Sequence, residues 1–369
     1  MKDKNIFNEE IGHFEIQERF LQSIRFNRLS HAYLFYGNEG VGKEAFAIEL
    51  AKLLNCEKGP LYICQKCSSC VKINHLQHPD LKFVFPFPGA NQVKSDEISD
   101  ALALKAQNPF RRIVFPGKNT FISIDTIREL KQEARYKLYE GKKKVFIISE
   151  ADEMRPEAAN ALLKLLEEPP DNLMLILITS RLHRILPTIR SRCQLIYFPP
   201  LENDVILRII KKYHTPLSEN LSHIIRLALK NIKLAFDFIE DNVLDKREQS
   251  IEYLRKVVVI QKSHDLMSEI EKMTMSKDRR EMRLILFFLL TWFRDAYHLK
   301  TKGREASLIN LDKESNIKGF VHGYPKADYQ NLINEVQKAM KDLEDPRNLN
   351  PTLIFTNLAI KLNKFIKNN

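Results

Sequence analysis

The 369-residue chain lacks any long hydrophobic run. Its longest apolar stretch, Leu284 to Leu290, ends at Thr291 and follows Arg283, while a membrane helix needs about 20 apolar residues. The first residues, Met1 to Glu10, alternate charged and polar types with no apolar core ahead of a cleavage site, so no targeting signal is expected and the chain reads as cytoplasmic. Glycine is scarce, at 11 residues, and no internal repeat at solenoid spacing appears. With 44% hydrophobic and 28% charged residues, the composition excludes a collagen-like or disordered chain. Cysteine is missing from almost everywhere: four of the five lie between Cys56 and Cys70. Without a secretion signal, such clustering argues for a metal rather than for disulfides.

The length suits two or three domains rather than one core. The net charge of +11 leans toward a polyanionic partner, because Lys and Arg displace counterions from a phosphate backbone. A generally basic proteome, or an acidic protein partner, gives the same charge.

From about 1 to 200, short apolar β-rich runs alternate with amphipathic helical patterns, which predicts an α/β fold with a parallel sheet covered by helices. The strands expected are His31–Tyr36, Lys144–Ser149, Leu173–Thr179 and Gln194–Phe198. One helix is expected over Lys43–Leu54, and a second from Pro156 to Glu168, stopped by Pro169 and Pro170. Pro199 and Pro200 mark the first boundary. Residues 201–262 and 263–369 are helical in pattern and are expected as two further domains. Within the first domain, Phe83–Gly89 and Ile113–Gly117 are similar strings separated by a polar, helical stretch. They fit two strands at a sheet edge, each carrying a proline, or else a contact for a partner or DNA.

Gly37-Asn-Glu-Gly-Val-Gly-Lys43-Glu44 follows a strand and opens a helix, the context that a phosphate-binding P-loop requires. Gly37, Gly40 and Gly42 let successive backbone N–H groups curl around phosphates, and Lys43 would reach the terminal ones. The next position normally holds Ser or Thr, whose hydroxyl binds Mg²⁺; here it is Glu44. The second metal anchor should be an acid after the strand Val145–Ile148, but Ser149 stands there, with Glu150 at the place of the water-activating base. Both Mg²⁺ anchors are altered together, which argues against efficient ATP hydrolysis and leaves only a weak hold on ATP through Lys43 and backbone amides.

Cys56, Cys64, Cys67 and Cys70 give one upstream thiol and a C-x-x-C-x-x-C run. Four thiolates close a tetrahedral Zn²⁺ site with no open position for catalysis. An iron–sulfur cluster uses similar spacing but usually with a further cysteine followed by proline, and free or redox thiols are the third reading. His75 and His78 are fallback ligands or polar loop residues, and Cys193 reads as a small core residue. Thr179, at the end of a strand, suits either a strand-end cap or a γ-phosphate sensor. Arg192, in Ile189-Arg-Ser-Arg192-Cys193, taken alone is a solvated arginine.

As a set, these strings are similar to the bacterial DNA polymerase III clamp-loader family of AAA+ ATPases. The resemblance rests on His31-Ala-Tyr-Leu-Phe, the P-loop, the four-cysteine insert, Ser149-Glu-Ala-Asp-Glu-Met154, Asn160-Ala-Leu-Leu-Lys-Leu-Leu-Glu-Glu-Pro-Pro170 and Ile189-Arg-Ser-Arg-Cys193. It covers about residues 1 to 200 well, and beyond them only Trp292-Phe-Arg-Asp295 looks like a motif of the family's helical collar. The resemblance implies an AAA+ domain, a small helical lid over 201–262 and a C-terminal collar for oligomerisation over 263–369. Glu44 and Ser149 place the chain with the family's delta-prime type, whose nucleotide site is typically degenerate. It further implies that Arg192 is an arginine finger acting on a neighbour's ATP, that Lys233 falls at a lid-domain sensor position or is a solvated helix lysine, and that gamma/tau and delta subunits, the sliding clamp and primed DNA are the partners. The rivals are an active gamma/tau-type motor, a stand-alone helicase-loading or repair ATPase of the same fold, and a zinc-dependent binding module. The first two expect complete metal-binding motifs, and the third leaves the arginine loop without a purpose.

Overall fold

The computed structural model describes residues 7, 11–59, 61–89, 92–115, 118–214, 221–240, 243–259, 263–275, 278–345 and 347–367. The chain forms two compact units, one of Met1–Ser218 with Lys230–Phe236 and the other of Glu219–Leu229 with Asp237–Asn369.

In the first unit the order is α1 (Phe14–Arg25), β1 (Ala32–Tyr36), α2 (Lys43–Asn55), α3 (Ser68–Asn74), β2 (Leu81–Val84), α4 (Ser95–Gln107), α5 (Ile124–Arg135), β3 (Lys144–Ile148), α6 (Pro156–Glu167), β4 (Leu173–Thr179), α7 (Pro187–Arg190), β5 (Gln194–Tyr197) and α8 (Asn203–Tyr213). The strands form one sheet in the order β2-β3-β4-β1-β5, every pair parallel. Parallel strands buried on both faces read as unbroken apolar runs, and all seven residues of β4 are buried. Successive side chains still separate by face. Tyr33 and Phe35 of β1, Val145 and Ile147 of β3, and Met174, Ile176 and Ile178 of β4 join one core with α1 and α2. Ala32, Leu34, Phe146, Ile148, Leu173, Leu175 and Leu177 join the other with α5 and α6. Phe20, Phe35, Phe46 and Phe198 bind α1, β1, α2 and the end of β5 through ring contacts, with Phe35 and Phe198 centroids 4.9 Å apart. Removing such a ring from a closed core costs about 3–5 kcal/mol.

Of the expected second edge strand over Ile113–Gly117, the described residues 113–115 form no strand. Only the first string contributes a strand, and it begins earlier, at Leu81. Residues 113–115 have no regular structure, and Pro116 and Gly117 lie outside the described residues. Phe115 is buried instead by stacking on Phe85, at 6.4 Å between centroids. Apolar content that periodicity assigns to a strand is here spent on an irregular loop that closes over α4.

Among its described residues the second unit is built of helices joined by turns and short loops, with no strand. It contains α9 (Leu221–Leu227), the end of α10 (Ile232–Glu240), α11 (Val243–Val258), α12 (Ser263–Thr274), α13 (Arg279–Lys302), α14 (Glu314–Gly323), α15 (Tyr329–Leu343) and α16 (Pro351–Lys367). Its core gathers Tyr253, Leu289, Trp292, Phe293, Val336 and Phe355 among others. Asp295 of the Trp292–Asp295 string has a structural task. It is 1% exposed and accepts hydrogen bonds from the backbone of Ile309 (3.0 Å) and Asn310 (2.7 Å), fastening the loop after α13. No described helix is long and apolar enough to cross a membrane.

Candidate functional site

The carboxyl ends of β1, β3 and β4 lie side by side in the sheet, so three segments far apart in sequence meet at one edge, the place where open α/β sheets bind ligands. The phosphate loop leaves β1, Ser149 and Glu150 leave β3, and Thr179 ends β4. The loop's shape depends on its glycines. Gly40 has φ 71°, and a Cβ there would run into the side-chain amide of Asn231. Asn231 has a second task, accepting from the backbone N–H of Leu234 (3.0 Å), while Ile232 donates its N–H to the Gly40 carbonyl at 2.9 Å. The α10 segment is thereby held against the loop, which brings Lys233 to the site.

Every charged group of this pocket named in the sequence finds a partner within the chain. Lys43 is 6% exposed and donates to the carbonyls of Gly37 (2.8 Å) and Asn38 (2.6 Å) in its own loop. Burial, reinforced by the nearby charge of Lys233, lowers its ammonium to a pKa of about 8. Glu44, in the first turn of α2, accepts hydrogen bonds from Lys105, from the hydroxyl of Ser149, and from Lys233 at 3.1 Å. Burial would raise its carboxyl, but the charges of Lys105 and Lys233 outweigh that and hold it below the ordinary range. Lys233 is buried, not solvated. Burial works against its charge, yet Glu44 and Glu150 together keep its pKa raised. Glu150 sits in the left-handed region at φ 49° and lies 3.7 Å from Lys233.

Thr179 is likewise engaged. It is 1% exposed, and its hydroxyl donates to Asp152 at 2.6 Å while accepting from the N–H of Arg181 at 2.9 Å. Asp152 also accepts from Arg181 Nε at 2.6 Å, and Arg181 reaches Glu153 as well. Arg192 differs from all of these. Its side chain is 36% exposed, donating to the Thr188 carbonyl at 2.9 Å and pairing with Glu167 at 2.7 Å, both on the surface of the same unit. Its neighbour Cys193 is buried in the core beneath β4 and α6.

The four clustered cysteines come together as their spacing implies. Their sulfurs all lie within 4.8 Å of one another. The Cys67 and Cys70 N–H groups point at the sulfurs of Cys64 and Cys67, at 3.2 and 3.4 Å. Backbone donation, first from Lys66, lowers the Cys64 thiol to about 6, whereas burial raises that of Cys70. Four sulfur donors converging, two of them also accepting from backbone N–H groups, can hold a metal ion such as zinc. His75 and His78 are not part of this group, and His78 is 2% exposed, so it is not a solvated loop residue.

Sequence reasoning missed Lys105, Asp152 and Arg181. For Lys105 a signal exists: Ile98, Leu102 and Lys105 share one face of α4 at helical spacing, and Lys105 is the helix's one buried residue among those described. A lysine in line with apolar positions implies a buried counter-charge.

A family model described as DNA polymerase III, delta subunit, matches residues 12–202, and one described as the C-terminal part of that subunit matches residues 241–364. DNA polymerase III subunit delta′ of Bacillus subtilis is 30% identical over 354 residues, covering 94% of this chain and 96% of that protein. DNA polymerase III subunit tau of the same organism is 26% identical, covering 92% of this chain and 59% of its own length. Subunit gamma/tau of Mycoplasma pneumoniae is 31% identical over 200 residues, 54% of this chain and 25% of that longer protein.

Proposed function

The chain belongs to the DNA polymerase III delta-subunit family and is delta-prime-like, and from that premise we propose that it works as the non-hydrolysing partner of a clamp loader. It assembles with gamma/tau and delta subunits to place a sliding clamp on primed DNA. Its own P-loop pocket, formed by Gly37, Gly40, Gly42, Lys43 and Glu44, turns over no ATP. Arg192 is offered as an arginine finger to the ATP site of an adjacent gamma/tau subunit, and Cys56, Cys64, Cys67 and Cys70 hold a structural Zn²⁺.

One observation carries the reading. The Glu44 carboxylate stands where a Mg²⁺-binding hydroxyl is needed, and it is already bound by Lys105, Lys233 and Ser149. With Lys43 turned onto the carbonyls of its own loop, the pocket offers phosphate and metal no free charge of the kind that phosphoryl transfer uses. Arg192, exposed and held only by surface partners, is free to exchange Glu167 for a phosphate across an interface. The geometry supports an arginine given away rather than one used at home. For zinc, the donor set itself is the support: four thiolates suit a closed, tetrahedral site.

Reconstitution with gamma/tau and delta tests this. Arg192→Ala should leave assembly intact, and the isolated chain's stability within about 0.5 kcal/mol of the original, as expected of a surface pair. At the site it serves, loss of a finger costs on the order of 10³-fold or more. Total ATPase should fall partly, because other sites keep their own fingers, while clamp loading falls further. A reconstituted variant that loads clamps at the unaltered rate would return Arg192 to an ordinary surface arginine.

A further inference from the structure

The glutamate at the head of α2 poses a physical problem. A carboxylate that is 8% exposed must be neutralised or it destabilises the fold. In working P-loops the same position faces a hydrated cation. Here the nearest counter-charge comes from an unexpected element: Lys105, on the insert helix α4, which is 1% exposed and donates to Glu44. Lys105 is fully engaged. Its ammonium also donates to the Arg111 carbonyl at 2.8 Å and lies 6.0 Å from the centre of the Phe83 ring. Lys105 is the one fully buried residue of α4 among those described, so its pairing with Glu44 is the helix's deepest polar attachment to the interior.

We propose that Lys105 is a built-in counter-cation for Glu44, which replaces a divalent metal at the head of the P-loop helix and fastens α4 to it. The inference rests on the reading of the pocket as degenerate and adds the residue that makes the degeneracy stable. Losing the Ser or Thr of a P-loop explains an absent activity, but not how a carboxylate is tolerated there. Lys105 supplies that, and Lys233 and Ser149 complete the carboxylate's shell. The pocket then refuses Mg²⁺–nucleotide for a positive reason: an internal ammonium already holds the position's charge. It follows that restoring a hydroxyl at position 44 alone would not rebuild a metal site. It would leave Lys105 without its acid and Lys233 with Glu150 alone, at 3.7 Å.

A double-mutant cycle on the full-length, metal-loaded chain tests this, using shape-conserving changes. Glu44→Gln should lower the melting temperature of the α/β unit by on the order of 10 °C, because it strands the buried Lys105 ammonium and leaves Lys233 only the more distant Glu150. Lys105→Met should cost less, since Glu44 keeps Lys233 and Ser149. The combined variant should melt above Glu44→Gln alone. If Glu44→Gln does not fold, recovery of folded protein on adding Lys105→Met carries the same meaning. Amide exchange over residues 95–107 should quicken at least tenfold in Lys105→Met. Additive losses in the cycle, or unchanged exchange in α4, would overturn the role of Lys105. Tight Mg²⁺–ATP binding by the unaltered chain would instead sink the degenerate-pocket reading on which the proposal stands.

Discussion

The two ends of α2 make opposite uses of converging side chains. At its tail, Cys56 meets Cys64, Cys67 and Cys70 with four sulfurs inside 4.8 Å. At its head, Glu44 meets Lys105, Lys233 and Ser149, and Lys43 turns onto the carbonyls of Gly37 and Asn38. The tail gathers donors of one kind, which neutralise nothing among themselves and gain only from a cation. The head gathers ammonium groups and a carboxylate in hydrogen-bonded pairs and needs no ligand to be stable. Convergence of polar groups is therefore not enough to name a binding site. Whether the groups satisfy one another decides if the site asks for a ligand or has already supplied its own.

The largest effect expected from this contrast lies at the tail. Cys67→Ser should release one zinc per chain and destabilise the first unit by on the order of 5 kcal/mol or more, since binding energy at a structural metal site is folding energy. Metal analysis of protein purified without added zinc, followed by calorimetry, checks it. A metal content near zero in the unaltered chain, or an iron–sulfur absorption band, would break the comparison.

A smaller loss is expected beside the head, where the side chain of Asp152 is 1% exposed and bonded to Thr179 and Arg181. Asp152→Asn keeps the shape but removes the charge that Arg181 faces, and should cost about 2 kcal/mol in chemical unfolding. No change would mean that Thr179 is not held in place by this network.

The next effect is one of pH. Lys43 titrates near pH 8 in the folded chain, against 10.5 when free. Below about pH 8 it is charged in both states, and its burial costs stability. Between these values the unfolded chain holds a proton that the folded chain has released, so stability rises with pH, by at most about 1.4 kcal/mol per pH unit for this one group. In Lys43→Met that part of the rise should vanish when unfolding is followed from pH 7.5 to about 10. A slope unaltered by the substitution would mean that Lys43 is not buried as described.

Much of this was legible before any coordinates. The strands could be placed because β1, β3 and β4 carry continuous apolar runs, and the observed β4, Leu173–Thr179, coincides with the expected span. The P-loop was legible because its glycines and lysine fall between a strand and a helix, and the convergence of the cysteines because their close spacing lets the sulfurs meet. The insert was not. Ile113–Phe115 has strand composition, yet Phe115 is satisfied by Phe85 without any ladder. Lys105 looked like one more polar residue in a polar helix, since its partner Glu44 is 61 residues away in sequence. The alignment of Lys105 with Ile98 and Leu102 hints at burial but does not name its partner, because long-range charge pairing has no spacing of its own in the sequence. Lys233 lay between these cases. The sequence left it open between a sensor position and a solvated lysine, and its burial with contacts to Glu44 and Glu150 removes the second reading.

The smallest expected effect is also the most direct test of the account. If the head of α2 has supplied its own charges, Mg²⁺–ATP has nothing to add. The purified, zinc-loaded chain incubated with Mg²⁺–ATP should show negligible phosphate release, no greater than that of Lys43→Ala. Steady Mg²⁺-dependent hydrolysis that Lys43→Ala abolishes would contradict the account and make this chain a motor in its own right.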